Sequence, residues 1–306
     1  MILLTLLGEQ PIPNLLPLWQ YREFSAVQFV VTSRTHHQAH ELAAFINEDR
    51  SLSHLKIYEP LEVHAYHLAE TRMLLAQTLQ NHIITQSPVT LNLTGGTKLM
   101  SLAAMLAAKD IDVPLLYVSS ETGEMIHFTS SGVEQKRENI RVSINVVQYL
   151  KAHGIESSEN QSFNKKDPFP SFRPPKEGDW LEDAVYQTAV RSGKFDDVRK
   201  NLFIRRQGRK DAVDNELDIV VTRNGMLAVC SCKAGKNLSN DDLYELEALS
   251  SREKFGIYCG KVFACANHEV PDGLKERAST DKIRLAFGEN VAQKAVEALS
   301  KSIEKF

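Results

Sequence analysis

The stretch Val89-Thr90-Leu91-Asn92-Leu93-Thr94-Gly95-Gly96-Thr97-Lys98-Leu99-Met100 decides how the first half of this 306-residue chain folds. Alternating apolar residues from Val89 to Leu93 read as a strand, and the Leu-, Ala- and Met-rich run from Thr97 to about Lys109 reads as a helix. Gly95 and Gly96 fill the turn between them. Glycines there let the backbone come close to a ligand. The helix start adds unpaired N–H groups and a partial positive charge. Thr97 and Lys98 bring a hydroxyl and a cation to the same spot. Together these predict an anion site suited to phosphate; the plainer alternative is a tight turn carrying an exposed lysine. The spacing is not that of a Walker A loop, which needs four residues between its first glycine and Gly-Lys-Ser/Thr.

The same strand–helix rhythm extends to either side. Ile2–Leu7 reads as a buried strand, followed by a loop, Gly8 to Asn14, and a helix near Leu15–Glu23. Val27–Thr32 is a strand, and Ser33 is placed to cap a helix reaching Glu48. Leu55–Tyr58 reads as a short strand, Ala65–Gln80 as a long helix, and Val113–Ser119 as a strand continuing at its edge into Glu124–Thr129. Alternation of this kind predicts a mainly parallel, doubly wound α/β sheet. Ligands bind such sheets beyond the C-terminal ends of the strands. Gly8-Glu9-Gln10, Ser33-Arg34-Thr35, Thr94-Gly95-Gly96-Thr97-Lys98 and Ser119-Ser120 all fall there. From these we take Gly8, Glu9, Gln10, Ser33, Thr35, Thr94, Gly95, Gly96, Thr97, Lys98 and Ser119 as the candidate ligand-binding residues.

The length suggests about two domains, and 42% hydrophobic with 25% charged residues marks an ordinary globular composition. A net charge of -3 argues against a protein coated in basic residues, although local patches outweigh the sum. Residues 191–210 hold eight Lys/Arg against Asp196 and Asp197, a local +6. Cys230, Cys232, Cys259 and Cys265 lack the spacing of a zinc site and read as core residues or free thiols in a reducing cytoplasm. The apolar start, residues 1–7, is too short for a signal peptide, and no run of about 18 apolar residues predicts a membrane span. His36 and His40 have i, i+4 spacing but no accompanying glutamate, and read as surface. No G-x-S-x-G elbow supports a serine hydrolase.

Residues 141–153 read as one amphipathic helix. Glu156–Lys176 is polar, carries prolines at 168, 170, 174 and 175, and reads as a linker. We therefore expect domains at 1–138 and 178–306, joined by a helix and proline-rich segment at 139–177. The second half opens with a helix capped by Asp179 and buried through Trp180, Leu181, Ala184 and Val185. Asn201–Arg206 reads as a strand, and Asn215–Thr222 and Met226–Lys233 as a hairpin around Asn224-Gly225. A helix from Asp241 to about Glu253, a strand Lys261–Ala266 and a helical tail Val291–Glu304 follow.

A helix carboxylate, a hairpin carboxylate and a lysine ending the return strand form a second constellation. Glu182, Asp218 and Lys233 sit where the PD-(D/E)xK nuclease fold places its metal ligands and lysine. Mg²⁺ or Mn²⁺ takes hard oxygen ligands, activates water and stabilises a leaving oxygen; a lysine offsets developing charge. Ser231 departs from the pattern, which asks for Asp or Glu two residues before Lys233. Glu216, two residues before Asp218 on the same face, is the candidate replacement, and Asp214 a lesser one. The candidate catalytic set is thus Glu182, Asp218, Lys233, Glu216 and Ser231, with Asp218, Glu182 and Glu216 as metal ligands. A plain Asp218–Lys233 salt bridge beside the hairpin is the alternative.

Both constellations, in this order, resemble one family: the two-domain CRISPR ancillary nucleases, in which an N-terminal CARF domain precedes a C-terminal PD-(D/E)xK nuclease. The resemblance spans nearly the whole chain and rests most on Gln10-Pro11-Ile12-Pro13-Asn14, Thr94-Gly95-Gly96-Thr97-Lys98, Trp180-Leu181-Glu182, Asn215-Glu216-Leu217-Asp218 and Leu243-Tyr244-Glu245-Leu246-Glu247. It implies a Rossmann-like, doubly wound CARF domain and an α/β restriction-endonuclease-like domain. It implies a cytoplasmic homodimer that binds cyclic oligoadenylate, commonly cyclic tetra-adenylate, and then cleaves single-stranded or nicked nucleic acid, DNA or RNA, with Mg²⁺ or Mn²⁺. Two alternatives accompany it: a non-catalytic sensor whose nuclease domain has decayed, and a CARF domain that degrades its own cyclic ligand.

Overall fold

The computed structural model describes residues 1–159, 179–206, 215–235 and 237–304. They divide into two compact units, Met1–Val142 and Ser143–Phe306.

The first unit is built from β1 (Ile2–Leu6), α1 (Ile12–Gln20), β2 (Ala26–Val31), α2 (His36–Glu48), β3 (Lys56–Ile57), β4 (Leu61–Glu62), α3 (Leu68–Ile84), β5 (Val89–Asn92), α4 (Lys98–Ile111), β6 (Leu115–Ser119), β7 (Glu124–Phe128) and β8 (Glu134–Asn139). The sheet runs β3-β2-β1-β5-β6-β7-β8, with β4 also pairing β2. Pairs from β3 to β6 are parallel; β7 and β8 close the edge antiparallel. Near-continuous apolar strands suit a sheet covered on both faces: all five residues of β1 are buried. Leu75 and Leu79 of α3 and Met100, Ala104, Ala107 and Ala108 of α4 pack on one side of it.

Two expectations shift here, and one strand is new. The cap of α2 is Thr35, not Ser33, which is exposed. The helix expected at 65–80 runs to Ile84 from Leu68, because β4 and the turn after it occupy the preceding residues. Strand β8 has no apolar alternation, since almost every residue is exposed, and its pairing with β7 alone makes it a strand.

The second unit comprises α5 (Val146–Ala152), β9 (Ile155–Glu159), α6 (Asp179–Ser192), β10 (Asp197–Arg206), β11 (Asn215–Arg223), β12 (Met226–Lys233), α7 (Asn240–Leu249), α8 (Arg252–Phe255), β13 (Gly260–Cys265), α9 (Asp272–Thr280), β14 (Arg284–Phe287) and α10 (Val291–Ile303). Its sheet runs β14-β13-β12-β11-β10-β9. The β9 to β12 pairs are antiparallel, and β12-β13-β14 are parallel. Leu181 and Val185 of α6, with Val291, Ala295, Leu299 and Ile303 of α10, bury against Ile219, Val221, Cys230, Val262 and Ala264.

The division between Val142 and Ser143 falls inside the 139–177 segment expected to join the domains. Helix α5 groups with the second unit: Val146 N–H donates to Asp197, Thr222 Oγ1 donates to Ile144 O, and Tyr149 OH donates to Phe255 O at 2.8 Å. Strand β9 takes up 155–159, where the linker was expected to begin, by pairing with β10. Asp179 is the first helical residue of α6 rather than the residue before it. The helix expected over 241–253 stops at Ser250 and resumes as α8. The four prolines, Arg209, Lys210 and Asp214 lie outside the described residues.

Candidate functional site

The sheet order of the first unit reverses between β1 and β5, which run parallel side by side. Helices after adjacent strands on opposite sides of such a switch point leave a crevice at the carboxyl ends of those strands. The loops after β1 and β5 meet there. A Cβ on Gly95 would lie 1.8 Å from Leu6 O, and one on Gly8 3.0 Å from the Gly96 nitrogen. Gly95 is therefore required by the chain's own backbone, whatever ligand also approaches. Gly96 takes φ +73°, the left-handed region.

Thr97 caps α4. Its Oγ1 accepts from Met100 N–H at 3.2 Å and donates to Ala65 O at 2.6 Å. That hydroxyl is committed to the turn and to the segment before α3, so Thr97 shapes the site rather than offering a free donor. Thr94 is committed likewise: Oγ1 donates to Asn92 Oδ1 at 2.6 Å and accepts from Val118 N–H at 2.7 Å. Ser119 Oγ accepts from Thr122. Thr35 Oγ1 accepts from Thr32 N–H. Glu9 pairs with Arg34 at 3.2 Å, linking the loops after β1 and β2 and adding a cation to this edge. Gln10 lies at the edge of α1, and its carbonyl accepts from Asn14 Nδ2 at 3.0 Å. Lys98 is exposed at the start of α4.

Beneath the crevice lies a polar network that periodicity does not reveal. Thr5, Asn14 and Asn92 are fully buried. Thr5 Oγ1 donates to Asn14 Oδ1 at 2.6 Å, and Asn92 Nδ2 donates to Thr5 Oγ1 and to Pro13 O. It fixes the 8–14 loop against β1 and β5. An Asn inside an otherwise apolar strand was the available signal, because buried polar groups need partners.

In the second unit, Ile219 pairs with Cys230, which sets Asp218 beside Ser231. Asp218 Oδ2 accepts from Cys232 N–H at 2.7 Å and from Ser231 Oγ at 3.2 Å. Burial raises its pKa, against those two hydrogen bonds. Glu182 on α6 is pushed up to about 7, first by burial and then by the charges of Asp218 and Asp179, while a hydrogen bond from Asn201 opposes the rise. Asn201 Nδ2 lies 3.2 Å from Glu182 Oε2 and 3.5 Å from Glu216 Oε1. Lys233 pairs with Asp242 of α7 at 3.1 Å rather than with Asp218, and that hydrogen bond is the main reason its pKa rises. Sequence reasoning missed Asn201 and Asp242, which follow only from cross-strand register and helix docking.

Among the described residues, no three His, Cys, Asp or Glu side chains stand close enough to hold one ion. The expected trio Glu182, Asp218 and Glu216 is thus not gathered into a closed cage. Like charges in a half-buried site repel one another, and Asp218 is held by Ser231 and Cys232. The donor chemistry still fits a hard divalent cation. Burial and neighbouring negative charge raise the pKa of two half-buried carboxylates, Glu182 and Asp218, and Asn201 Oδ1 is a buried oxygen with no hydrogen-bond partner.

A parallel sheet with glycine turns meeting at its switch point is thus followed by an α/β unit with carboxylates on a helix and a hairpin. The family model described as the Card1 CARF domain matches residues 2–149, and that described as the Card1-like endonuclease domain matches residues 175–296. The chain belongs to the CRISPR ancillary nuclease family that joins these two domains. Among solved structures, protein VC1899 from Vibrio cholerae superposes with a TM-score of 0.82 at 14% identity, covering 100% of this chain and 99% of that one. Can2 from Sulfobacillus thermosulfidooxidans, solved with cyclic tetra-adenylate, gives 0.76 at 20% identity over 99% and 97%. A type III CRISPR defence DNA nuclease activated by cyclic oligoadenylate gives 0.61 at 18% identity, covering 91% of this chain and 51% of that one. No curated protein sequence matches. Among the described residues, no helix is long and apolar enough to cross a membrane.

Proposed function

We propose that the protein is a metal-dependent nuclease switched on by cyclic tetra-adenylate in type III CRISPR antiviral defence. The observation that carries this is the coexistence, on one chain of this family, of a glycine turn at the sheet's switch point and the half-buried Glu182–Asp218 pair. The Can2 complex with cyclic tetra-adenylate supports the choice of ligand. In the first unit, Lys98, the N–H groups at the start of α4 and the Gly8 loop bind phosphate. A cyclic ligand with repeated phosphates has two-fold symmetry, so a homodimer offers it two identical sites. Activation requires the ligand to bind the cleavage-competent arrangement better than the resting one.

In the second unit, Asp218 and Glu182 would hold Mg²⁺ or Mn²⁺, with Glu216 drawn in as the third carboxylate. When bound, the ion polarises the scissile phosphate and lowers the pKa of an attacking water. Cys232 N–H and Ser231 orient the Asp218 carboxylate. Asp242 holds the Lys233 ammonium at the end of β12, where it offsets charge developing on phosphate. The substrate is single-stranded or nicked nucleic acid.

Ser231 favours a second reading, a sensor whose nuclease unit binds without cutting, because a neutral hydroxyl replaces a carboxylate ligand. Calorimetric Mn²⁺ titration, followed by cleavage assays with and without cyclic tetra-adenylate, separates the two. The nuclease reading expects metal binding and ligand-dependent cleavage. Ligand binding with no cleavage at any metal concentration supports the sensor.

A further inference from the structure

Asn201 lies within β10, between Lys200, which pairs with Ile219, and Leu202, which pairs with Leu217. The register runs on without a shift, so Asn201 stands across from Asp218. Yet its φ is +51°, left-handed, inside a strand. An asparagine tolerates that conformation better than most residues but still pays for it, and such strain collects where function demands it. The side chain shows what it serves. Nδ2 reaches the carboxylates of both Glu182 and Glu216. The reverse amide orientation would set a carbonyl oxygen against two carboxylates, so the charges themselves select this one. Oδ1 is then left buried and without a partner.

We infer that Asn201 is a positioning residue of the metal site, its carboxamide bridging Glu182 and Glu216 so that both carboxylates stand ready beside Asp218. This rests on the nuclease reading of that site. A neutral donor does here what an extra acid cannot: it draws two like charges together before any cation arrives. The chain thereby holds Glu216 on the side of Glu182 even though Ser231 supplies no carboxylate. Groups of this kind, one step removed from the ion, commonly alter metal affinity ten- to a hundredfold when replaced.

The test uses the full-length protein and two variants, with Mn²⁺ binding read by calorimetry and by the metal-induced rise in melting temperature. Asn201→Gly accepts the left-handed backbone and deletes the carboxamide. It should melt at or above the wild-type temperature in EDTA, bind Mn²⁺ about ten- to a hundredfold more weakly, and bind cyclic tetra-adenylate unchanged. Asn201→Asp keeps the shape but crowds in another negative charge. It should melt lower in EDTA and show a larger Mn²⁺-induced rise than wild type. Asn201→Gly with Mn²⁺ affinity within twofold of wild type, whatever its melting temperature, overturns the assignment. Asp218→Ala separates the two levels. If it loses Mn²⁺ binding while Asn201→Gly keeps it, only the role of Asn201 falls. If the wild type neither binds Mn²⁺ nor cleaves nucleic acid, the reading of the site falls and the assignment with it.

Discussion

Ser231 Oγ donates a hydrogen bond to Asp218 Oδ2 at 3.2 Å across the β11–β12 pair. The residue standing where the family pattern asks for a carboxylate is therefore turned toward the carboxylate it would have joined. It supplies a proton donor where a second anionic oxygen is expected. In the proposed nuclease reading, Ser231 governs how tightly the site would hold a cation.

Ser231→Glu should accordingly tighten Mg²⁺ or Mn²⁺ binding by about tenfold or more, because it adds a hard anionic ligand on the face that carries Lys233. The cleavage rate at limiting metal should rise with it. The comparison is cleavage rate against metal concentration for wild type, Ser231→Glu and Glu216→Ala. A gain in the first variant with no effect in the second makes Glu216 dispensable. A loss in both makes Glu216 the migrated ligand, with the added glutamate crowding a complete site.

Lys98→Ala should weaken cyclic tetra-adenylate binding by about one to two orders of magnitude, the worth of a charge-assisted hydrogen bond to phosphate. Thr97→Ala acts differently, since its hydroxyl caps α4 and donates to Ala65 O. It should lower stability by about 1 kcal/mol. Isothermal titration and urea midpoints read the two effects. Unchanged affinity in Lys98→Ala removes this lysine from the ligand site.

Gly95→Ala and Gly96→Ala should rank in a definite order. At Gly95 the added methyl meets the Leu6 carbonyl at 1.8 Å, and backbone must move. At Gly96 it meets the flexible end of Met100 at 3.1 Å, in a left-handed conformation. We expect a loss of at least about 3 kcal/mol for the first and about 1–2 kcal/mol for the second. Denaturation midpoints that reverse the order contradict the close approach of these two loops.

His153 reports on how the start of the second unit is held. Its ring stacks on Tyr149 with centroids 4.6 Å apart, and Nδ1–H donates to Tyr149 O at 2.9 Å. Burial pushes its pKa down from 6.5 to about 4, with the charge of Arg206 acting the same way and that hydrogen bond opposing. The folded chain then binds fewer protons than the unfolded chain between these values. Its contribution to stability is full above pH 6.5 and is lost as pH falls toward 4. Urea midpoints measured from pH 7 to pH 4 should fall more steeply for wild type than for His153→Gln. Parallel curves would show that His153 titrates freely.

Legibility divides along physical lines. The Val89–Met100 stretch was readable because strand alternation, two glycines and a capping threonine agree over twelve consecutive residues. The placing of Asp218 and Lys233 on paired strands was readable because the Asn224-Gly225 turn fixes which strand returns beside which. Strand β8 was not, since its exposed residues carry no period and only pairing with β7 defines it. Strand β9 was hidden because its polar sequence reads as the start of a linker. The ion pair of Lys233 with Asp242 and the bridge at Asn201 depend on how α7 docks and on one left-handed residue. Neither leaves a periodic trace.

The most direct measurement is cleavage of labelled single-stranded and nicked nucleic acid by purified wild type and Asp218→Ala, each with and without cyclic tetra-adenylate and Mn²⁺. The account predicts cutting only by wild type with both ligand and metal present, while Asp218→Ala binds cyclic tetra-adenylate with wild-type affinity and cuts nothing. Equal cleavage by a clean Asp218→Ala preparation, or a wild type that binds the ligand and stays inert with Mn²⁺, would contradict it.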